Sequence, residues 1–138
     1  MPLVMFRNFQ WTLKYGMNDV APAALTTLGI IFAGILGDLK GGVRCGEAAV
    51  ALIPQVSSAV ESRTLFVAHG FVLWWTQPLR DQFKPLLRAY EVGLSSGDTE
   101  SACWSVHLFY HMRFSCSVSL DLILEDCKAY MAQVSEYV

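Results

Sequence analysis

Three side chains in this sequence have the types and spacing for metal chemistry. Cys103, His107 and His111 stand at i, i+4 and i+8, which on a helix sets a thiol and two imidazoles along one slowly drifting face. Two such histidines can ligate zinc and the thiol can add a third contact. A structural site takes four ligands, however, and no HExxH pattern accompanies the pair. The expected reading is packing of imidazoles beside Trp104 and Tyr110, so no metal and no cofactor is assigned. Catalysis by acid, base or nucleophile has less behind it. Asp, His and Ser occur, yet there is no G-x-S-x-G elbow, no GxxxxGK[ST] phosphate loop, no HRD loop with a downstream DFG, and no histidine-kinase phosphoacceptor box. The chain is read as non-catalytic.

The second constellation is aromatic. Trp74, Trp75, Trp104, Phe109 and Tyr110 fall on segments that carry almost no charge. Exposed on one side of a helical array, such rings anchor a partner peptide or helix, because aromatic anchors carry much of an interface's energy. Buried, the same rings are core. Trp74, Trp75, Trp104 and Tyr110 form the candidate partner-binding set.

Composition limits the partners. The 138 residues suit one domain spanning 1–138, and a hydrophobic content of 54% is ample for a core. The formal net charge is −2, and the ten Lys and Arg are scattered singly. Nucleic acid is excluded as a partner on this ground, since neutralising its backbone takes a basic patch. The four cysteines form no CxxC pair; free thiols in a reducing cytoplasm are expected. The opening MPLVMFRNFQW lacks the basic, apolar and small-residue sequence of a signal peptide, and none is expected.

The elements that must position these residues are helices. A leading helix is predicted over 3–15, stopping at Gly16. An uncharged segment, 20–37, closes at Gly37, where glycine takes the left-handed conformation without penalty, and Asp38 caps the next helix. That helix carries Lys40, Arg44 and Glu47 and stops at Pro54. Ser58 and Glu61 have capping-box spacing at the start of a helix running to about 76, uncharged after Arg63. Pro78 opens a charged helix ending near Gly97, and Pro85 inside it should kink it or shift its start. Asp98 caps an uncharged run through His107 and His111, and Ser119 with Asp121 opens the last helix.

Uncharged helices therefore alternate with charged amphipathic ones, as expected when neighbours cover the first kind and water faces the second. Ala49, Ala89 and Ala129 recur every 40 residues, and Arg88-Ala89-Tyr90 matches Lys128-Ala129-Tyr130. A small residue at one place in each charged helix suits close packing against its paired helix. Turns at 37–38, 77–78 and 117–118 keep the same register. The prediction is an all-α, right-handed α-solenoid of tetratricopeptide-like helix hairpins, about three pairs plus the leading helix, with hairpins over 19–54, 58–97 and 98–137.

The uncharged run 20–37 is near the lower length for a bilayer span, and mean hydropathy is +0.39. A small helical membrane protein is thus an alternative. Against it stand Pro22, Thr26, Thr27 and the glycines within the run, with Asp19 and Asp38 rather than a Lys/Arg cluster flanking it.

Several motifs carry a family resemblance: Tyr15-Gly16, G-x-L-G-D over 34–38, G-x-x-x-G-E-A over 42–48, W-x-x-P-L-R over 75–80, and L-x-x-G-D-x-E-x-A over 94–102. Together they resemble the helical-repeat segment of very large predicted signalling proteins, which join a serine/threonine-kinase-like domain, an AAA-type ATPase, this tetratricopeptide-like region, a GAF domain and a histidine kinase. The chain departs from that pattern at 114–118, where the family places a glycine turn, and at Leu39, where an aromatic often follows G-D. The resemblance implies a scaffold or relay module for signal transduction, with a protein partner or flanking domains as its contacts. Self-association is also expected, because the ends MPLVMF and MAQVSEYV carry few charges and a short solenoid needs polar terminal faces.

Overall fold

The structure, a computed structural model, describes residues 2–134. Every regular element among them is helical. The first helix, α1 (Pro2–Tyr15), stops at Gly16 with φ +92°. Asn18 then accepts the Val20 N–H at 3.0 Å and opens α2 (Ala21–Ile30). Without a break α2 widens into a π turn over Ile31–Ile35, closed by the Leu36 N–H on the Ile31 carbonyl at 3.0 Å.

Gly37, at φ +71°, turns the chain, and Asp38 caps α3 (Leu39–Leu52) by accepting the Gly41 N–H at 2.9 Å. The device recurs between α5 (Phe83–Ser96) and α6 (Thr99–Ser115), where Gly97 has φ +83° and Asp98 accepts the Ser101 N–H at 3.2 Å. Between α6 and α7 (Leu120–Val134) there is no glycine, and Ser117 itself takes φ +56°.

Helix α4 (Ser58–Val67) continues through a π turn, Ala68–Val72, and a 3-10 turn, Leu73–Trp75. Its N-cap is Ser57, and the predicted Ser58/Glu61 box does not form. The helix starts one residue earlier than that box requires, which places Ser58 in the first turn, and the Glu61 carboxylate accepts Arg88 Nε from α5 at 2.7 Å. Pro85 does shift the start of its helix. It has no N–H for the Asp81 carbonyl, so a 3-10 turn, Leu79–Gln82, precedes α5 (Phe83–Ser96). The chain closes with α6 (Thr99–Ser115) and α7 (Leu120–Val134); the end predicted at 137 lies outside the described residues.

Consecutive helices pack on one another, α2 on α3 and α5 on both α4 and α6. Helices α2, α4 and α6, whose charges are few and lie near their ends, also touch in succession. Small residues bring the axes together. A Cβ on Gly42 of α3 would stand 2.8 Å from both the Gly29 carbonyl and the Ala33 Cβ of the α2 segment. One on Gly93 of α5 would stand 2.7 Å from Ser62 Oγ and 2.9 Å from the Ala102 Cβ. Ser62 turns the crowding to use, donating its hydroxyl to the Ala89 carbonyl at 2.7 Å.

The core proper lies around α5 and α6. Leu86, Phe109 and Met112 form one buried cluster, and Tyr90, Ala102 and Val106 a second. Of the three alanines at 40-residue spacing, Ala49 and Ala89 are completely buried, whereas Ala129 is exposed. Among the described residues no helix is long and apolar enough to cross a membrane. Within 20–37 the helix spans only Ala21–Ile35 and is closed by the Gly37 turn.

Candidate interaction surface

Trp74 and Trp75 stand in the 3-10 turn that continues α4, and Trp104 stands on α6. In α4 the π turn adds about one residue to a turn, which rotates every later side chain by roughly 100° about the axis. After that rotation Val72 and Leu73 point into the protein, while Phe71, Trp74 and Trp75 are exposed by 40%, 37% and 48%. Trp74 and Trp75 stack, with ring centroids 4.9 Å apart, and the Trp75 indole N–H donates to the Phe71 carbonyl at 3.1 Å.

The rings continue onto α6. Phe71 meets Phe66 edge-on at 5.7 Å, Phe66 lies nearly parallel to Trp104 at 6.5 Å, and Trp104, 48% exposed, meets His107 edge-on at 5.7 Å. A shallow hollow between the two helices is lined by Gly70, Phe71, Trp74, Leu108, His111 and Met112. The result is an aromatic strip that crosses two helices and is exposed at Phe71, Trp74, Trp75 and Trp104, with Phe66 half-buried between.

A buried polar cluster holds the turn beneath it. His69, in the π turn, donates through Nδ1 to Gln82 Oε1 at 2.7 Å, and Gln82 Nε2 donates to the Pro78 carbonyl at 3.0 Å and toward Gln77 at 3.4 Å. Gln82 is fully buried and His69 nearly so. Burial pulls the His69 pKa below the usual imidazole value, opposed in part by the bond to Gln82. A neutral imidazole is the form the cluster accommodates. These bonds tie the segment after Trp75 to the helix before it, so His69 positions the strip without belonging to it.

The sequence-predicted residues divide. Trp74, Trp75 and Trp104 share the strip. Tyr110 stands apart, half-buried against Tyr130 at 6.0 Å and Phe109 at 5.2 Å, its hydroxyl buried. Burial, with Cys127, Asp126 and Tyr130 nearby, raises its pKa. Phe109 is core.

Cys103, His107 and His111 are separated by the drift of their face. The first two line a depression with Glu100 and Trp104, and His111 lines the hollow beside Trp74. Among the described residues no three His, Cys, Asp or Glu side chains are grouped as a metal ion would need. Phe66 and Phe71 were not singled out from the sequence, although both lie in the charge-free stretch after Arg63. No family model matches this chain, and neither does any curated protein or solved structure.

Proposed function

We propose that this chain is a non-catalytic helical-repeat module, a tetratricopeptide-like right-handed solenoid of helix hairpins, that binds a protein segment on the aromatic strip of α4 and α6. The repeat reading is supported by the successive contacts of α2, α4 and α6 and by the packing of α2 on α3 and α4 on α5. Tyr90 and Tyr130, 40 residues apart, also meet edge-on at 5.2 Å. The setting in an ATPase and kinase signalling system rests on the sequence motifs alone.

One observation carries the binding reading. Phe71, Trp74, Trp75 and Trp104 are each more than a third exposed, yet they are not scattered: Phe66 bridges Phe71 to Trp104, and Trp75, stacked on Trp74, donates to the Phe71 carbonyl. A contiguous exposed aromatic surface on a domain with a separate core marks an interaction site.

The test is titration of amphipathic helical and extended apolar peptides, followed by tryptophan emission. Saturable binding is expected for at least one class. Trp75→Ala and Trp104→Ala should then weaken it in increments of roughly 1–4 kcal/mol per ring, with the helical circular dichroism unchanged. No saturable binding by any peptide, or an activity eliminated by His107→Ala alone in a folded protein, would overturn the reading.

A further inference from the structure

The outermost helices carry a second, independent surface. On α1 the side chains of Leu3, Phe6 and Leu13 are exposed by 84%, 43% and 72%, whereas Asn8, Phe9 and Thr12 are half-buried. On α7 Leu120, Leu124 and Met131 are exposed by 64%, 54% and 68%, next to a half-buried face of Ile123, Asp126, Cys127 and Tyr130. Each helix thus shows one face to its neighbour, α2 or α6, and a second apolar stripe to solvent.

The two stripes differ in the charge beside them. Helix α1 holds Arg7 and Lys14 and no acidic residue. Seven residues separate these cations, which sets both on one side of the helix. Helix α7 holds Asp121, Glu125 and Asp126 against the single cation Lys128. Asp126 is engaged by Arg113 of α6, while Asp121 and Glu125 are exposed and lie four apart on one edge of the Leu120–Leu124 stripe. A basic-edged apolar helix and an acidic-edged one are complementary to each other, and neither is complementary to itself.

Ala129 lies at the same spacing as two completely buried alanines, and with Tyr90, Glu91, Leu94 and Tyr130 it lines an open groove of about 560 Å³ between α5 and α7, apart from the stripe.

We propose that copies of this chain associate head to tail, the outer face of α1 in one copy docking on the outer face of α7 in the next. The occupant of each face is a second copy, because the charge sign selects α1 against α7 over either helix against itself. A contact between two different surfaces is heterologous, so each added copy leaves both kinds of face free at the ends. Chains rather than closed pairs are the product.

Sedimentation velocity on the intact chain tests this, at an ionic strength near 0.01 M, where the screening length is about 30 Å and surface charges act most strongly. The expected result is a ladder of species growing with concentration and shrinking with salt. Arg7→Glu with Lys14→Glu makes both faces acidic, and Asp121→Lys with Glu125→Lys makes both basic. Each double variant should associate at least roughly tenfold more weakly than the unmodified chain. Mixing the two should restore the ladder, since each variant then meets a complementary face on the other. All four positions are exposed, and circular dichroism verifies the fold. A unmodified chain monomeric at about 100 µM, well above the micromolar range of ordinary weak contacts, would overturn the proposal. So would a species that stops at dimer, or charge variants that associate unchanged. A flanking partner as the true occupant would show as the first of these outcomes.

Discussion

The middle of the molecule and its two outer helices use similar sequence to different ends. From α2 to α6 the helices approach through Gly29, Gly42, Gly93 and Ala89, and the leucines and aromatics between them are largely enclosed. In α1 and α7 residues of the same apolar kind stand in water. Ala89 and Ala129 make the comparison sharply, because they share the context Arg/Lys-Ala-Tyr and a fixed spacing, yet one is completely buried and the other exposed. Sequence pattern fixes where a small residue belongs on a helix, and only a neighbouring helix makes that position a contact. Burial is a property of the pair.

The largest expected effect breaks that comparison open. Ala89→Leu inserts three heavy atoms beside the carbonyl that accepts the Ser62 hydroxyl, and overpacking there should cost about 1–3 kcal/mol. Ala129→Leu, at the matching position, should leave the denaturation midpoint of a dilute, monomeric sample nearly unchanged. Arg88→Leu, next to Ala89, removes an ion pair whose arginine is 63% exposed, and such pairs contribute about 0–1 kcal/mol. Urea denaturation of the three variants decides the matter. Similar losses for Ala89→Leu and Ala129→Leu would mean that the groove between α5 and α7 is filled in solution.

Much of the helical layout was legible in the sequence, and the reason is local chemistry. Glycine followed by an aspartate cap acts within four residues, so the turns at 37–38 and 97–98 could be read without tertiary information. The effect of Pro85 was legible in the same way. The aromatic strip was only half legible. The charge-free composition placed Trp74, Trp75 and Trp104 on the right helices, but which rings face out depends on the π turn at Ala68–Val72, which shifts the helical phase and follows no 3.6-residue rule. A strict period cannot place Phe71 outside and Val72 inside in advance. Tyr110 was misgrouped with the tryptophans because its contacts, Tyr130 above all, lie on a helix 20 residues away.

A smaller effect distinguishes the middle from the ends through pH. The folded-state pKa of His69 lies below that of the unfolded chain, about 6.5, so on acidification the unfolded chain takes up its proton first. Stability contributed at this site is complete above pH 6.5 and falls as pH drops from there toward the lowered folded value. His107 and His111 are exposed and belong to no such buried cluster. The melting temperature should therefore decline between pH 7.5 and 5.5. His69→Asn, which keeps a donor for Gln82 and removes the titration, should flatten the decline more than His107→Asn does. An unchanged pH slope in His69→Asn would show that the His69–Gln82 pair is open to water.

The smallest effect concerns the turns that flank the outermost contact. Gly37 and Gly97 adopt positive φ at no steric cost, whereas Ser117, between α6 and α7, adopts φ +56° with a Cβ in place. An ordinary residue in that region bears about 1–2 kcal/mol of strain. Glycine removes the strain and restores about 0.5–1 kcal/mol of unfolded-chain entropy against it, so Ser117→Gly should stabilise by up to roughly 1 kcal/mol. Gly97→Ser, the reverse change at a turn of the middle, should destabilise by a similar amount. The pair sharpens the contrast because the Ser117 turn holds α7, which packs mainly on α6, while the Gly97 turn lies between two helices already locked by Gly93 and Ala102. If α7 melts with the rest, the gain at Ser117 appears in the global denaturation midpoint. Should α7 instead open independently, the midpoint would stay where it is and only amide hydrogen exchange across Leu120–Val134 would slow.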